Sequence, residues 1–471
     1  MSLPMPSGKV MRFGIKLISF YVLSVLLIGI IIVQVMDLLS TGARPDKDTL
    51  QRHIQNRLLD SQNGRDIYAG AWGPSRGLQY HPKLAVGTDV QYKVTEVSIA
   101  DHGPEADFVE TSSDCCNSAG TGSRIFILAA MRTGSSFLGE IFAQRRDFFY
   151  LFEPGKYLAD HIESQNLSRR VLITRYLQLI EDVYRCDFSN SKVLTDGLSN
   201  ETTLGKKRFA PALLRSNGCR RKGNELKRGK LVCDQPFPVS EITNACKSRP
   251  HVGIKAIRIP DLNLLLHLMR RSKTNLKVIH LVRDPRGMVV SRLRVHAKDR
   301  LPEGMLYNVS HITETVRYYV QRYCLSWATN IEIGKYIPSV SSNYKLVRYE
   351  DLARDPVGHT HDIYSFVGLG SKIPSEVYRW IVNNTGMNQK LNQSGSSKPY
   401  STSRNSRETF EAWRKSVRYD FIHFIQSIGD CRKLMNLAGY LHVPDEQALR
   451  DPARSFVTNI PKFNLTKYEF L

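Results

Sequence analysis

Two polar loops in this sequence, each directly after a buried-strand pattern, carry residues that could hold phosphate groups. The first follows the apolar run 125–130 and precedes apolar residues at helical spacing. Its members are Arg132, Thr133, Gly134, Ser135 and Ser136. A strand, a small-residue loop and a helix direct backbone N–H groups and a helix N-terminus at an anion. The loop lacks the Gly-Lys-Ser/Thr of a Walker A motif, so Arg132 is its cation.

Taken alone, the first loop has a simpler explanation. It could be an ordinary strand-to-helix turn in which Ser135 or Ser136 caps the helix. A nucleophilic serine is a weaker alternative, because the Gly-x-Ser-x-Gly elbow is missing and no His–Asp pair is placed by the sequence.

The second loop follows the apolar run 276–282. Asp284 suits an N-cap and Pro285 the first helical position, so a helix should begin here. Arg283 leaves the strand end and Ser291 lies about two turns into the helix, so both can face one phosphate. The planar guanidinium of arginine binds phosphate oxygens bidentately. A surface Arg283–Asp284 pair beside an exposed serine is the alternative.

Together, these loops resemble motifs of the Golgi carbohydrate sulfotransferases. The segment 132–137 resembles their 5′-phosphosulfate-binding motif, and 282–292 resembles their 3′-phosphate-binding motif. Segments 149–154, 346–352 and 380–385 fit the branch that sulfates the 6-hydroxyl of galactose, N-acetylglucosamine or N-acetylgalactosamine. The likeness covers roughly residues 123–455.

The resemblance implies a fold, a donor and a set of site residues. The fold is α/β, a nucleotide-kinase-like P-loop fold with a central parallel sheet flanked by helices. The sulfate donor is PAPS (3′-phosphoadenosine-5′-phosphosulfate), and no metal is expected. The residues implied to bind it are Arg132, Thr133, Gly134, Ser135, Ser136, Phe137, Arg283, Ser291 and, near the 3′ side, Arg404.

Glu153 is the candidate for the base that takes the proton of the acceptor hydroxyl. Pro154 disfavours helical geometry at Glu153, which places the carboxylate in a loop after a strand. A positioned carboxylate can act as a general base, while Arg132 would stabilise charge on the sulfuryl group. Alternatively, Glu153 caps its loop or pairs with Arg145 or Arg146.

A basic segment spans residues 206–230, between Cys186 and Cys233. Such a run is usually a solvated surface. In a luminal enzyme it could instead dock an acidic glycan, with Arg220, Arg221 and Lys222 in contact. Glu350 could similarly cap or orient basic site residues, or be only structural.

The N-terminal residues predict a membrane anchor. Residues 17–36 carry no charge and are long enough to span a bilayer. Lysine and arginine precede them, which predicts a cytoplasmic N-terminus. A cleaved signal peptide is the alternative, but no small-x-small site follows. The predicted regions are a cytoplasmic tail 1–16, a signal-anchor helix 17–36, a luminal stem 37–122, a catalytic domain 123–455 and a C-terminal tail 456–471.

Charge and cysteine content agree with a Golgi location as a single-pass type II membrane protein. The formal net charge of +22 requires a polyanionic partner or surface. Nucleic acid, anionic lipid and acidic glycan are all candidates on charge alone, and the membrane segment decides among them, against nucleic acid. The eight cysteines favour disulfides in an oxidising lumen. The adjacent residues Cys115 and Cys116 could form a disulfide between two chains, which would make a homodimer. Sequons begin at Asn166, Asn200, Asn308, Asn383, Asn392 and Asn464.

The sequence therefore predicts transfer of sulfate from PAPS to a sugar hydroxyl, most simply at the 6-position. The candidate acceptors are acidic or neutral glycans, namely keratan, chondroitin or N-acetylglucosamine-type chains. Two alternatives remain: a nucleotide kinase of similar fold, and a catalytically inactive glycan-binding membrane protein.

Overall fold

The computed structural model describes most of the chain from residue 122 onward. The described residues are 122–165, 169–222, 230–259, 261–270, 275–296, 307–312, 314–386, 402–403 and 405–461. The predicted anchor, the stem and Arg404 lie outside these ranges. Among the described residues, no helix is long and apolar enough to cross a membrane.

A five-stranded parallel sheet forms the centre of the described structure, in the order β2-β5-β1-β6-β7. Its strands are β1 (Arg124–Ala129), β2 (Phe148–Phe152), β5 (His251–Ala256), β6 (Leu276–Val282) and β7 (Tyr344–Arg348). A separate antiparallel hairpin pairs β3 (Cys219–Lys222) with β4 (Lys230–Cys233). Near-continuous apolar runs produce these parallel strands because both faces of the sheet are buried.

Helices cover both faces of the sheet. In chain order they are α1 (Ser135–Ala143), α2 (Gly155–Ser164), α3 (Arg169–Arg185), α4 (Lys192–Asn200), α5 (Thr203–Phe209), α6 (Val239–Lys247), α7 (Leu266–Arg270), α8 (Pro285–His296), α9 (Glu314–Tyr336), α10 (Pro338–Ser341), α11 (Tyr349–Arg354), α12 (Pro356–Phe366), α13 (Ser375–Thr385), α14 (Ser406–Thr409), α15 (Tyr419–Ser427), α16 (Gly429–Ala438) and α17 (Glu446–Arg450). The predicted α/β class with a helix-flanked parallel sheet is confirmed.

Alternation along the strands divides the core into two layers. Phe126 and Leu128 of β1 pack on one face with α2 and α3, while Ile125 and Ile127 pack on the other with α1, α12 and α13. Successive residues of a strand point to opposite faces, so one strand supplies both layers. The sheet is thereby held rigidly between helices, and the loops at its carboxyl edge have a fixed base.

Packed residues continue past the predicted domain boundary at 455. Phe456 is only 2% exposed, and Val457 forms a β-bridge with Tyr440. A buried aromatic ring is costly to expose to water, so the chain remains on the domain here rather than leaving as a tail.

Three disulfides join described cysteines: Cys186–Cys246, Cys219–Cys233 and Cys324–Cys431. The first links the residue directly after α3 to α6, the second closes the β3–β4 hairpin, and the third links α9 to α16. The sequence predicted disulfides but not their connectivity. Cys115 and Cys116 lie outside the described residues.

Candidate active site

The first loop turns sharply between β1 and α1. Arg132 and Gly134 both have left-handed backbone, with φ of 69° and 88°. A Cβ at Gly134 would also overlap the ring of Tyr349, so glycine is required there for two reasons. The Thr133 hydroxyl donates to the Ala130 carbonyl at 2.8 Å and closes the turn.

The helix after this loop begins without a side-chain cap. Gly134 occupies the N-cap position of α1, and Ser135 is its first residue. The capping role that Ser135 or Ser136 would play in an ordinary turn is therefore not observed. Phe137 packs against Trp380 of α13 with ring centroids 5.5 Å apart, which fixes the start of the helix. The N-terminus of α1, where an anion is favourable, therefore lies at the carboxyl end of β1 without a side-chain cap.

The second loop meets the first directly. Arg283 donates from Nη1 to the backbone carbonyl of Arg132 at 2.9 Å. Arg132 in turn donates from Nε to the hydroxyl of Ser291 at 3.2 Å. Arg283 also lies over the ring of Tyr349, 4.7 Å from its centroid. Arg132, Arg283 and Ser291, which the sequence assigned to two phosphate sites, therefore meet at the carboxyl ends of β1 and β6.

A buried polar network fixes the turn that carries Arg283. Asp284 accepts from the Arg286 backbone amide at 2.9 Å, as predicted for the start of α8, and also pairs with the Arg286 guanidinium. Glu350 accepts from the Asp284 amide at 3.1 Å and from the Tyr440 hydroxyl at 2.7 Å. Glu350 therefore orients the loop behind Arg283 rather than reaching into the cleft.

Burial has a large effect on the charge of Glu350. Desolvation, helped by the nearby Asp284 carboxylate, raises the pKa of Glu350 to about 7, against an ordinary value of 4.5. Arg283 and the bonds from Tyr440 and the Asp284 amide oppose this shift. The carboxyl group therefore changes charge near neutral pH, directly behind the second loop.

Glu153 lies at the end of β2, the edge strand nearest β5. Its φ is 52°, and its amide donates to the Lys255 carbonyl at 2.8 Å. Its carboxylate pairs with the Lys255 ammonium and, at 2.8 Å, with Arg258. The alternative pairing with Arg145 or Arg146 is wrong for Arg145, which pairs instead with Asp147 at 2.5 Å. Of the actual partners, Lys255 lies on the neighbouring strand β5 and Arg258 follows the end of that strand.

The two cations keep Glu153 ionised. Burial alone would raise the pKa of Glu153, but Lys255 and Arg258 outweigh burial and lower it. Lys255 is 1% exposed, and its ammonium lies 4.0 Å from the centroid of the Phe152 ring. Burial lowers the pKa of Lys255, against the opposing effect of Glu153. The cluster is therefore a desolvated carboxylate with one buried and one half-buried cation.

Sheet geometry relates the carboxylate cluster to the first loop. Lys255 is paired in register with Phe152 on one side and with Ile127 of β1 on the other. Neighbouring strands are about 4.8 Å apart, so the ends of β2 and β1 are separated by about 10 Å at the same edge. That spacing can accommodate a donor group at the loop and an acceptor hydroxyl beside Glu153.

Sequence reasoning gave Lys255, Arg258 and Tyr349 no firm roles. Lys255 and Arg258 were equally compatible with a solvent-facing strand end, although a lysine inside the apolar pattern of β5 was a usable signal. Tyr349 was part of a matching segment only. Arg404 lies outside the described residues. Within the described ranges, no group of three or more His, Cys, Asp or Glu could hold a metal ion.

Comparison with known proteins gives the family. A sulfotransferase domain model matches residues 123–439. Carbohydrate sulfotransferase 1 of Mus musculus is 33% identical over 359 residues, covering 71% of this chain and 83% of the relative. Carbohydrate sulfotransferase 3 of Mus musculus is 30% identical over 380 residues, covering 74% of each. Among solved structures, the sulfotransferase domain of the Synechococcus PCC 7002 olefin synthase is 16% identical, with a TM-score of 0.34, and covers 66% of this chain and 95% of that one. The domain model and the two curated relatives show that the chain belongs to the sulfotransferase family, in the carbohydrate sulfotransferase group.

Proposed function

We propose that this protein transfers the sulfuryl group of PAPS to the 6-hydroxyl of galactose, N-acetylglucosamine or N-acetylgalactosamine in a glycan. The observation that carries the proposal is the direct contact of Arg132 with Arg283 and Ser291 at one edge of the sheet, with Glu153 about two strands away. Two guanidinium groups, the Ser291 hydroxyl and the N-terminus of α1 suit an anionic nucleotide with phosphates at both ends. The strand order supports the nucleotide-kinase-like fold.

In the proposed reaction, the acceptor oxygen forms a bond to sulfur as the bond from sulfur to the donor phosphate oxygen breaks. PAPS supplies the sulfuryl group and leaves as the 3′,5′-bisphosphate. Glu153 accepts the proton of the acceptor hydroxyl, which its ionised state allows. Arg132 stabilises negative charge on the transferring group and the leaving phosphate. Lys255 holds Glu153 ionised and oriented.

We also propose that the protein is a single-pass type II protein of the Golgi membrane, with its catalytic domain in the lumen. Residues 17–36 are the proposed anchor. The three disulfides suit an oxidising compartment. The sequon asparagines Asn200 and Asn383 are exposed, and luminal glycosylation requires such accessibility.

The test uses the full-length chain in detergent with sulfur-labelled PAPS. Acceptors are desulfated keratan, desulfated chondroitin and N-acetylglucosamine-terminated oligosaccharides, each beside a 6-deoxy analogue. We expect label on at least one acceptor but not on its 6-deoxy form. Arg132→Ala and Arg283→Ala should lower kcat/KM at least 100-fold, whereas Arg418→Ala, at an exposed arginine paired with Asp420, should not.

Each outcome discriminates among the candidate functions. Label on the 6-deoxy acceptor would reject the 6-position while keeping sulfuryl transfer. Phosphate transfer from ATP that EDTA abolishes would instead indicate the kinase. Glycan binding that survives both arginine substitutions, without any transfer, would indicate the inactive binding protein.

A further inference from the structure

A short basic helix lies beside Glu153 and has no part in the reaction proposed above. This helix, α5, packs on the end of β2 through Phe209, whose ring centroid is 5.9 Å from that of Phe152. Lys206 anchors the helix from inside. It is 0% exposed, and its ammonium donates to the carbonyls of Ser199 and Glu201. The next two residues of the helix are therefore held in place by a buried lysine and an aromatic contact.

Those two residues, Lys207 and Arg208, are exposed cations at the rim of the site. The guanidinium carbon of Arg208 lies 5.2 Å from the centroid of the Phe152 ring and 5.6 Å from that of Phe209. Phe152 immediately precedes Glu153 in the chain. A guanidinium stacked on aromatic rings is oriented in advance, so it loses little side-chain entropy when it binds an anion.

The charges around this rim leave a positive surplus. The Glu153 carboxylate is already shared by Lys255 and Arg258. Glu140 of α1 is the other carboxylate affected by Lys207 and Arg208, but burial raises its pKa and so disfavours its charged form. Among the described residues, neither Lys207 nor Arg208 forms a salt bridge with a carboxylate, so both cations are available to an anionic ligand beside Glu153.

Lys207 and Arg208 lie at a different strand end from the residues assigned to the sulfate donor. The donor residues follow β1 and β6, whereas Phe152 ends β2, which is the edge strand of the sheet. Arg208 contacts the ring of Phe152, which packs in the same core layer as α1, and it therefore lies at the end of this edge strand. A molecule that presents a hydroxyl to Glu153 therefore comes close to Arg208, because Arg208 contacts the ring of the residue that precedes Glu153.

We propose that Arg208, assisted by Lys207, binds an anionic group on the acceptor glycan close to the accepting hydroxyl. The group is a sulfate ester or a uronate carboxylate, since both present oxygens in the geometry that a guanidinium recognises. The acceptor is thus a glycan that already carries negative charge. This inference rests on the proposed function, because it specifies the substrate class of that same site.

The test compares three full-length variants in detergent. Arg208→Gln removes the charge, Arg208→Lys keeps it, and Arg418→Ala removes a comparable exposed arginine elsewhere. Acceptors are one oligosaccharide in sulfated and chemically desulfated forms, and a uronate-containing oligosaccharide of equal length. Arg208→Gln should raise KM for the sulfated or the uronate acceptor at least 10-fold, and should leave KM for PAPS and for the neutral acceptor within 2-fold. Arg208→Lys should recover part of the loss, and Arg418→Ala should behave as wild type.

The pattern of loss decides the inference. Preference for the sulfated or for the uronate form identifies the source of the anion. Equal losses on charged and neutral acceptors, or a raised KM for PAPS, would overturn the proposal. Binding of the same oligosaccharides is measured in parallel, because it needs no turnover. Charge-selective binding that Arg208→Gln abolishes supports the anion site even if no acceptor is sulfated, whereas equal binding by wild type and Arg208→Gln rejects it.

Discussion

Lys255 is the residue on which the charge of the proposed base depends. It is 1% exposed, and its ammonium pairs with one Glu153 oxygen while Arg258 pairs with the other at 2.8 Å. Lys255→Met would remove one of two cations that outweigh burial, so the pKa of Glu153 should rise. Because a general base acts only when ionised, kcat should fall at low pH, and the acidic limb of the pH profile should move upward.

The measurement is kcat against pH at saturating PAPS and acceptor. Glu153→Gln should lose roughly 10²–10⁴-fold at every pH, because it removes the base itself. Lys277→Met is the control, since Lys277 lies at the opposite end of β6 and donates to the Asn343 side chain at 2.7 Å. An unmoved acidic limb in Lys255→Met would contradict the role assigned to the pair.

Glu350 should make the stability of the protein depend on pH. Its pKa rises from 4.5 to about 7 on folding, so the folded state binds the proton more tightly than the unfolded state. The corresponding stability is fully present below pH 4.5 and is lost as pH rises through about 7. The shift corresponds to about 3 kcal/mol at most.

Glu350→Gln keeps an oxygen to accept from the Asp284 amide and cannot ionise. As pH rises from 5 to 8, wild type should lose this stability and the variant should not. The Tm of the variant minus the Tm of wild type should therefore be larger at pH 8 than at pH 5. Glu446→Gln, at an exposed carboxylate paired with Arg450, serves as the control for losing a surface charge. The same Tm difference between Glu350→Gln and wild type at both pH values would show that Glu350 does not titrate in this window.

At the scale of elements, the β3–β4 hairpin continues the basic surface of α5. The Cys233 amide donates to the Thr203 hydroxyl at 3.2 Å, so the hairpin lies at the N-terminal end of α5. Arg208 lies near the other end of α5, about 7.5 Å further along the helix axis. An acceptor of several sugars could contact both ends, whereas a short one could not.

Charge reversal on the hairpin should therefore depend on acceptor length. The double variant Arg221→Glu, Lys222→Glu should raise KM several-fold for a long sulfated chain and leave it unchanged for a short one. Arg220 is left intact because it pairs with Asp234 at 2.7 Å. Initial rates with size-fractionated acceptors measure the effect. Unchanged KM values at every length would favour a solvated surface over a glycan dock.

Whether a contact could be predicted from the sequence depended on how far apart in the chain its two residues lie. The strand–loop–helix pattern at 125–137 and the Asp284-Pro285 helix start are local, and both are confirmed. The pairing of Glu153 with Lys255 spans 102 residues and depends on strand order, which no local pattern contains. Nearby Arg145 looked equally suitable. Long-range sheet pairing, rather than residue type, decided which cation faces the carboxylate.

At the scale of the whole molecule, the C-terminal residues complete the support of the site. Arg286 is 0% exposed and donates to the Leu441 carbonyl at 2.9 Å. Arg348, at the end of β7, donates to the Ala438 carbonyl at 2.9 Å. An arginine in a sequence normally indicates an exposed position, so these contacts of buried guanidinium groups could not be predicted. Because a buried guanidinium must keep its acceptors, the last helices stabilise the same strand ends that carry Arg283 and Glu350.

The disulfide Cys324–Cys431 should therefore affect both stability and nucleotide binding. It joins α9 to α16 across 107 residues, whereas Cys219–Cys233 spans only 14 and closes the hairpin. Replacing each pair by alanines should cost roughly 4.7 and 3 kcal/mol of folding free energy from loop closure alone. The neighbouring Tyr323 lies within electrostatic range of Arg283 and Glu350, so loosening α9 should disturb the second loop.

We expect the Cys324→Ala, Cys431→Ala variant to lose more in Tm than the Cys219→Ala, Cys233→Ala variant, and to bind the 3′,5′-bisphosphate product several-fold more weakly by calorimetry. The Cys219→Ala, Cys233→Ala variant should bind it as wild type does. Equal weakening in both variants would mean that the C-terminal helices support the fold in general and not the nucleotide cleft in particular.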